Sequence, residues 1–338
     1  MTNKYSLSII IPAYNSEKII KDCLNKILKE TKKIKSEIIV VDDKSTDNTV
    51  KVVEEIKGVK LIKLKKNKGV GNARNVGAEK AKFAILCFID SDIIISRNSI
   101  YNLLKRFHKN DAVGSVSATQ NTINLNKEDW TSNFVCLKSC YGTESIKVEK
   151  NFSSISSEFC LISKKLFYKI GKWKALYGAG GEEFDLGYKI RKLNKKNIKL
   201  KSSGYSGHWY SLKERSIRVI SRTEKYIPIL LKKKKFDSKG TFATAGQALS
   251  SLITLLMLSV LTTKLFFELD ILFTLLVLFA FQLILETNFL IFAYKKHKIK
   301  MLLFSLYGIQ VINISIILGG VLFLLKNTIG LLFNFSNK

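Results

Sequence analysis

Three long stretches toward one end of the chain carry almost no charge. Residues 242–263 hold no charged side chain, residues 271–294 hold only Glu286, and residues 301–325 hold none. Each is long enough to cross a hydrocarbon core of roughly 30 Å as a helix. A backbone in lipid must satisfy its own hydrogen bonds, so these stretches can fold only as helices packed on one another. The change of character falls near residue 240. Residues 1–240 hold 49 Lys and Arg against 24 Asp and Glu, whereas residues 241–338 hold seven Lys, no Arg and three acids. The loop "KKHKIK" at 295–300 lies on the same side as the charged part under the positive-inside rule. That places a multi-pass chain in the cell membrane with its soluble domain in the cytoplasm. Glu286 has no basic residue at similar depth in these stretches, so it is expected at a helix contact or at the interface.

The formal net charge is +29, from 49 Lys and only seven Arg. The lysines are scattered, without the clustered Arg and aromatic residues that nucleic-acid binding calls for. Attraction to an anionic leaflet accounts for them better, and no nucleic-acid partner is expected. Cys23, Cys87, Cys136, Cys140 and Cys160 offer no paired set with His for zinc. They are expected as packed, reduced thiols. "SLSIIIP" near the start is too short for a signal peptide and reads as a strand.

The first part alternates strand-sized apolar runs with helical stripes. Residues 7–11, 37–41, 59–64 and 83–89 read as strands, and residues 16–29 carry apolar side chains at 19, 20, 23, 24, 27 and 28, a helical pattern. Such alternation implies an α/β fold with a mostly parallel sheet and helices on both faces. In sheets of this kind ligands bind beyond the carboxyl ends of the strands. Polar residues follow each strand here: "PAYN" after the first, Asp42 and Asp43 after the second, and "DSD" after the fourth. These would meet along one edge. Asp90 and Asp92, two apart at the end of "CFIDSDIII", suit a hard divalent cation bound through oxygen, with a diphosphate as its further partner.

The segments "SIIIPAYNSEKII", "VVDDKSTDNTV", "GVGNARNVGAEKAKFAILCFIDSDI" and "GGEEFDLGYKIRKLNKKNIKL" occur in this order. Together they resemble the family 2 glycosyltransferases of GT-A fold, over about residues 5 to 210. The resemblance implies a nucleotide-diphospho-sugar transferase fold over 1–210, a basic interfacial segment over 211–240, and a helical membrane domain over 241–338 with spans 242–263, 271–294 and 301–325. It implies that Pro12, Ala13, Tyr14 and Asn15 line the nucleotide, that Asp43 accepts a hydrogen bond from the base, and that Arg74 lies near the base or diphosphate. Asp90 would face the ribose and the metal, with Ser91 beside the sugar nucleotide, and Asp92 would bind Mg or Mn directly. The general base is the second acid of an acidic pair that opens a helix. That position is Glu183, after Glu182, where the family carries Asp. Asp185 is a competing candidate, and Glu182 and Asp185 are otherwise expected near the acceptor. His208 lies where related enzymes carry a metal-binding histidine.

Trp209 either stacks on an acceptor sugar or anchors at the interface. Arg215, Arg218 and Arg222 sit at helical spacing in a basic amphipathic segment. They contact lipid headgroups or grip a lipid-linked phosphate. The Gln-x-x-Arg-Trp motif of the processive members is absent from the sequence. The resemblance therefore implies an inverting, metal-dependent, non-processive transfer to a lipid-linked oligosaccharide or surface polysaccharide. Polyprenyl phosphate is the alternative acceptor. A non-catalytic sugar-nucleotide-binding scaffold is the alternative of another class.

Overall fold

The structure is a computed structural model that describes residues 6–109, 111–125, 129–144, 151–152, 154–174, 182–207, 209–233, 244–264, 267 and 271–335. The chain divides into two compact units. The first comprises Met1–Leu125 and Ile146–His208, and the second Asn126–Ser145 and Trp209–Lys338. The sequence reading of one continuous domain over 1–210 thus differs in one insertion, Asn126–Ser145.

In the first unit the strands are β1 (Ser6–Ala13), β2 (Lys35–Asp42), β3 (Val59–Lys63), β4 (Ile85–Ile89), β5 (Ile93–Ile95), β6 (Val113–Asn124), β7 (Phe159–Ser163) and β8 (Lys196–Gly207). They form one sheet in the order β3-β2-β1-β4-β7-β6-β8-β5. The half built from β3, β2, β1 and β4 is parallel. β7 then pairs antiparallel with both β4 and β6, and β5 antiparallel with β8, so the sheet is mixed.

Alternate side chains of these strands feed two cores. Leu7, Ile9 and Ile11 of β1, with Ile38, Val40, Cys87 and Ile89, meet α1 (Ile20–Thr31) and α4 (Ser99–Phe107) on one face. Ile10, Ile39, Val41, Leu86 and Phe88 face the other way, toward α3 (Val70–Lys80), α6 (Lys164–Lys169) and α7 (Glu182–Lys192). Burial on both faces explains the unbroken Ile and Val runs. The helix α2 (Thr49–Glu54) links β2 to β3.

The helix α3 lacks a strong apolar stripe and packs by smallness instead. A Cβ on Gly77 would lie 2.3 Å from Cγ2 of Ile10 and 3.2 Å from Cγ2 of Val41. Glycine there lets the helix backbone settle directly on the sheet.

The second unit holds α5 (Trp130–Glu144), α8 (Leu212–Lys233), α9 (Ala245–Thr263) and α10 (Leu272–Phe335). The α10 helix breaks at His297 and Lys298, whose backbone angles are not helical. The two expected spans 271–294 and 301–325 lie on either side of that break, and α9 covers most of 242–263. Large apolar side chains face outward along these helices, among them Phe273, 73% exposed, and Ile284, 68% exposed. Inside, Phe134 of α5 packs with Phe289 and Ile309 of α10. A Cβ on Gly308 would lie 2.6 Å from the Phe134 ring.

A polar network ties α9 to both halves of α10. Asn313 Nδ2 donates to Ser250 Oγ at 3.0 Å and Thr254 Oγ1 at 3.0 Å, and Gln282 Nε2 donates to Thr254 Oγ1 at 2.9 Å. Gln310 Nε2 donates to Gln282 Oε1 at 2.6 Å. Small and amide side chains of this kind bind apolar helices to one another where the hydrophobic effect is weak.

Glu286 corrects the sequence reading. Its Oε2 lies 2.6 Å from Lys138 Nζ, and that ammonium also sits 4.4 Å from the Phe289 ring centre. The partner comes from α5, more than a hundred residues earlier, so the last hundred residues could not reveal it. Lys138→Ala leaves a carboxylate inside without its cation, which for a buried pair is destabilising by about 3–5 kcal/mol. Thermal unfolding of the purified chain in detergent is expected to fall sharply for Lys138→Ala, and by less for the double variant Lys138→Ala/Glu286→Ala.

Candidate functional site

The parallel register aligns the strand ends: Ala13 of β1 sits beside Asp42 of β2. Tyr14 follows, 49% exposed, with the aromatic face open that a base would need. Asn15 adopts a left-handed conformation, φ 49°, which Asn tolerates better than most residues. Its Oδ1 accepts from Thr46 N at 2.8 Å, and its own N donates to Ser45 Oγ at 3.0 Å. Of "PAYN", then, Pro12 and Ala13 end the strand, Tyr14 faces out, and Asn15 holds the turn after β2.

Asp43 is 3% exposed. Its Oδ1 accepts from Lys68 N at 3.0 Å and its Oδ2 from Gly69 N at 2.7 Å. The carboxylate therefore pins the glycine-bearing loop that enters α3, a duty the sequence reading did not foresee. Each oxygen keeps a second lone pair for a base.

Asp90 follows β4 directly, and its N donates to Glu158 O at 2.9 Å. Ser91 turns the other way. It is 8% exposed and shares a hydrogen bond with Ser16 at 2.9 Å between hydroxyls. The Ser91 hydroxyl, expected beside the sugar nucleotide, lies in the turn between β4 and β5 and is shared with the loop that follows β1.

Arg74 is turned inward. It is 2% exposed. Its Nη2 lies 2.6 Å from Asp90 Oδ1 and its Nη1 3.7 Å from Glu182 Oε1. Its guanidinium carbon lies 5.1 Å from the Trp173 ring centre. Burial works against this charge, and Asp90, Glu182 and Glu183 outweigh it, so the pKa lies above the ordinary arginine value. Glu182, expected near an acceptor, is itself 5% exposed and serves that pair.

Glu183 keeps its Oε1 as acceptor for Ser157 Oγ at 2.9 Å. Its backbone oxygen accepts from Ile155 N at 3.3 Å. Asp185 is joined to Lys189 on the next turn at 2.7 Å. His208 lies outside the described residues. In the second unit, Trp209 packs on the apolar core, and Arg218 lies 3.8 Å from the Tyr210 ring centre. Arg222 is half-buried. Arg215 is 7% exposed, turned inward on α8, unlike Arg218 and Arg222.

One acid was missed. Glu158 precedes β7 and is half-buried. Gln120 Nε2 donates to its Oε2 at 2.6 Å, and the Tyr205 hydroxyl donates to the same atom. Burial raises its carboxyl above the ordinary range, and Asp90 and Glu183 push the same way against the Tyr205 and Gln120 hydrogen bonds. Nothing local in "SSEFCLI" marks this residue. Only the antiparallel pairing of β7 with β4 brings it beside Asp90.

Asp92 feels the whole cluster. Burial first, then Asp90 and Glu158, push its carboxyl up to about 7. A site whose carboxylates resist ionising together gains from a cation. Among the described residues no group of three or more His, Cys, Asp or Glu is arranged to hold a metal ion by itself. The chain thus offers part of a coordination shell and leaves the rest to ligand oxygens, the usual way Mg is held beside phosphates. Asp90 and Asp92 fit a divalent cation on these terms.

The comparisons agree with this geometry. Residues 8–171 match the model of the family Glycosyl transferase family 2. The poly-beta-1,6-N-acetyl-D-glucosamine synthase of Staphylococcus epidermidis is 25% identical over 177 residues, covering 49% of this chain and 42% of the relative. The matched region is thus less than half of that relative's length. Among solved structures, the mannosyltransferase from Pyrobaculum calidifontis in complex with GDP-Man and Mn2+ superposes with a TM-score of 0.57 at 16% identity, covering 96% of this chain and 89% of the other. GalNAc-T7 with UDP, GalNAc and Mn2+ superposes with a TM-score of 0.52 at 18% identity, covering 67% and 47%. These two likenesses concern the fold. Sheet order, strand-end carboxylates and family match converge: residues 8–171 carry a Glycosyl transferase family 2 domain, set in a unit of GT-A fold, and the chain continues into apolar helices that are candidate membrane spans.

Proposed function

We propose that this chain is a membrane-anchored, inverting glycosyltransferase that moves one sugar at a time from a nucleotide-diphosphate-sugar to a lipid-linked oligosaccharide or surface polysaccharide. The observation that carries the reading is the meeting of four carboxylates at one region of the sheet edge. Asp90 and Asp92 lie between β4 and β5, Glu158 precedes β7, and Glu183 is the second residue of α7; Asp90 N donates to Glu158 O, Asp92 feels the charges of Asp90 and Glu158, and Glu158 those of Asp90 and Glu183.

The roles follow from placement. Tyr14 is exposed for stacking on the base, and Asp43 holds the loop beneath it. Asp90 and Asp92 hold Mg or Mn, which when bound stabilises the charge that develops on the leaving diphosphate. Glu183 takes the proton of the acceptor hydroxyl as that oxygen bonds to the anomeric carbon and the bond to diphosphate breaks. Glu183 is preferred to Asp185 because Asp185 is engaged by Lys189. The outward apolar side chains of α9 and α10 support anchorage in lipid, with the catalytic unit on the cytoplasmic side. The curated relatives, named as poly-N-acetylglucosamine synthases, put UDP-N-acetylglucosamine first in the donor panel.

The test is a screen of purified protein with Mn2+ or Mg2+ against UDP-, GDP- and dTDP-sugars, reading nucleoside diphosphate release that depends on an added acceptor. Release with one donor is expected, and silence on every donor overturns the reading. The length of the product separates single addition from polymer extension, and mass spectrometry of the lipid separates a glycan acceptor from a lipid monophosphate. Glu183→Gln is expected to lower transfer by about 10²–10⁴-fold, the usual worth of a general base.

Asp92 yields a second prediction, made without divalent cations. Its raised pKa means the folded chain keeps a proton up to about pH 7 that the unfolded chain has already released. Stability therefore falls as pH rises from the ordinary carboxylate range through about 7, and levels off above it. Asp92→Asn removes that slope. Its unfolding temperature is expected to exceed the wild type's near pH 8, with the gap narrowing near pH 5, while its activity is lost.

A further inference from the structure

We propose that Arg74 is a positioning residue that couples the carboxylates at the end of β4 to the acid that opens α7, rather than a contact to the nucleotide. This rests on the functional reading above and assigns a new part within it. The guanidinium is 2% exposed and joins two elements. One arm holds Asp90 at 2.6 Å, and the other faces Glu182 at 3.7 Å. Its flat face lies 5.1 Å from the Trp173 ring centre.

Trp173 is itself fixed to α3 and the sheet. Its N donates to Asn75 Oδ1 at 3.1 Å, and Asn75 Nδ2 donates to its carbonyl at 2.9 Å. Its ring meets Phe88 of β4 edge-on at 5.5 Å. Trp173 and Glu182 stand on either side of residues 175–181 in the sequence. Two consecutive residues of α3, Arg74 and Asn75, therefore hold the chain at both of these points. The residue after Glu182 is the proposed base, Glu183. Whatever fixes Glu182 against Asp90 sets where Glu183 stands relative to the donor carboxylates.

A planar fork is what such a bridge requires. Lysine carries the charge but cannot hold two carboxylates in fixed directions. Among the described residues, Nε and Nη1 of Arg74 have no hydrogen-bond acceptor, and the charge that faces Nη1 is Glu182 at 3.7 Å.

The test uses the full chain in detergent and four variants: Arg74→Gln, Arg74→Lys, Glu182→Gln, and Arg74→Gln with Glu182→Gln. Unfolding temperature is measured first. Affinity for UDP and for GDP with Mn2+ follows by calorimetry, and then kcat and donor KM are determined for the wild type's best donor. Arg74→Gln and Glu182→Gln are each expected to lower kcat by about 10–100-fold, the scale of an ångström-sized misplacement, with KM and nucleoside diphosphate affinity changed by less than about threefold. The double variant is expected to be no slower than Arg74→Gln alone, since both act through one linkage. Arg74→Lys recovers part of kcat.

Glu182→Gln keeps the Arg74–Asp90 pair and serves as the deciding variant if Arg74→Gln does not fold. An unchanged kcat in Glu182→Gln overturns the proposal. So does an Arg74 variant that loses nucleoside diphosphate affinity at unchanged kcat, which places Arg74 on the diphosphate instead. A wild type silent on every donor overturns the functional reading and this inference with it. An active wild type with independent Arg74 and Glu182 effects overturns only the inference.

Discussion

The sheet-bearing unit depends on one buried positive charge among carboxylates. Asp90, Asp92, Glu158 and Glu183 belong to three different segments, and ionised carboxylates gathered at a partly buried edge repel one another and resist desolvation. Arg74 offsets this from below, on a helix that reaches it only because Gly77 lets the backbone of α3 lie against Ile10. A larger residue at 77 would lift the helix and draw the guanidinium from Asp90. The close packing and the electrostatics are thus one constraint seen at two places. The charge left over after Arg74 is what the proposed divalent cation would offset.

Much of this was legible from residue order. The apolar runs of β1, β2 and β4 are unbroken because both faces of the sheet are covered, and that alone locates their polar ends. The pair Asp90 and Asp92 and the helix opening at Glu182 stand where the motifs put them. What escaped the sequence was pairing. Glu158 looks like any acid at the start of a strand until β7 lies antiparallel to β4. Arg74 and Asp43 sit in the expected motifs, yet the structure shows one turned inside and the other bonded to a neighbouring loop. A motif records which residues gather, and it does not record which of them face the ligand.

The helical unit shows the same limit. Three apolar stretches announced α9 and the two halves of α10, and the basic loop between the last two marks the break at His297 and Lys298. The Lys138–Glu286 pair could not be read, because the lysine lies in the middle of the chain, between the strands of another unit. The inward turn of Arg215 was equally hidden. Helical spacing says that three arginines share a side, and the neighbours of that side are set by tertiary packing.

That pairing has a bearing on how the molecule is made. A growing polypeptide leaves the ribosome from its beginning, and α5 emerges long before the helix that carries Glu286. At about 5–20 residues per second, the delay between the two is roughly seven to thirty seconds. During that interval Phe134 lacks Phe289 and Lys138 lacks Glu286, and of the helices that pack with α5 only α8 has been made. The sheet must therefore close around an unfinished insertion, and the helical unit is completed only when the last apolar segments arrive.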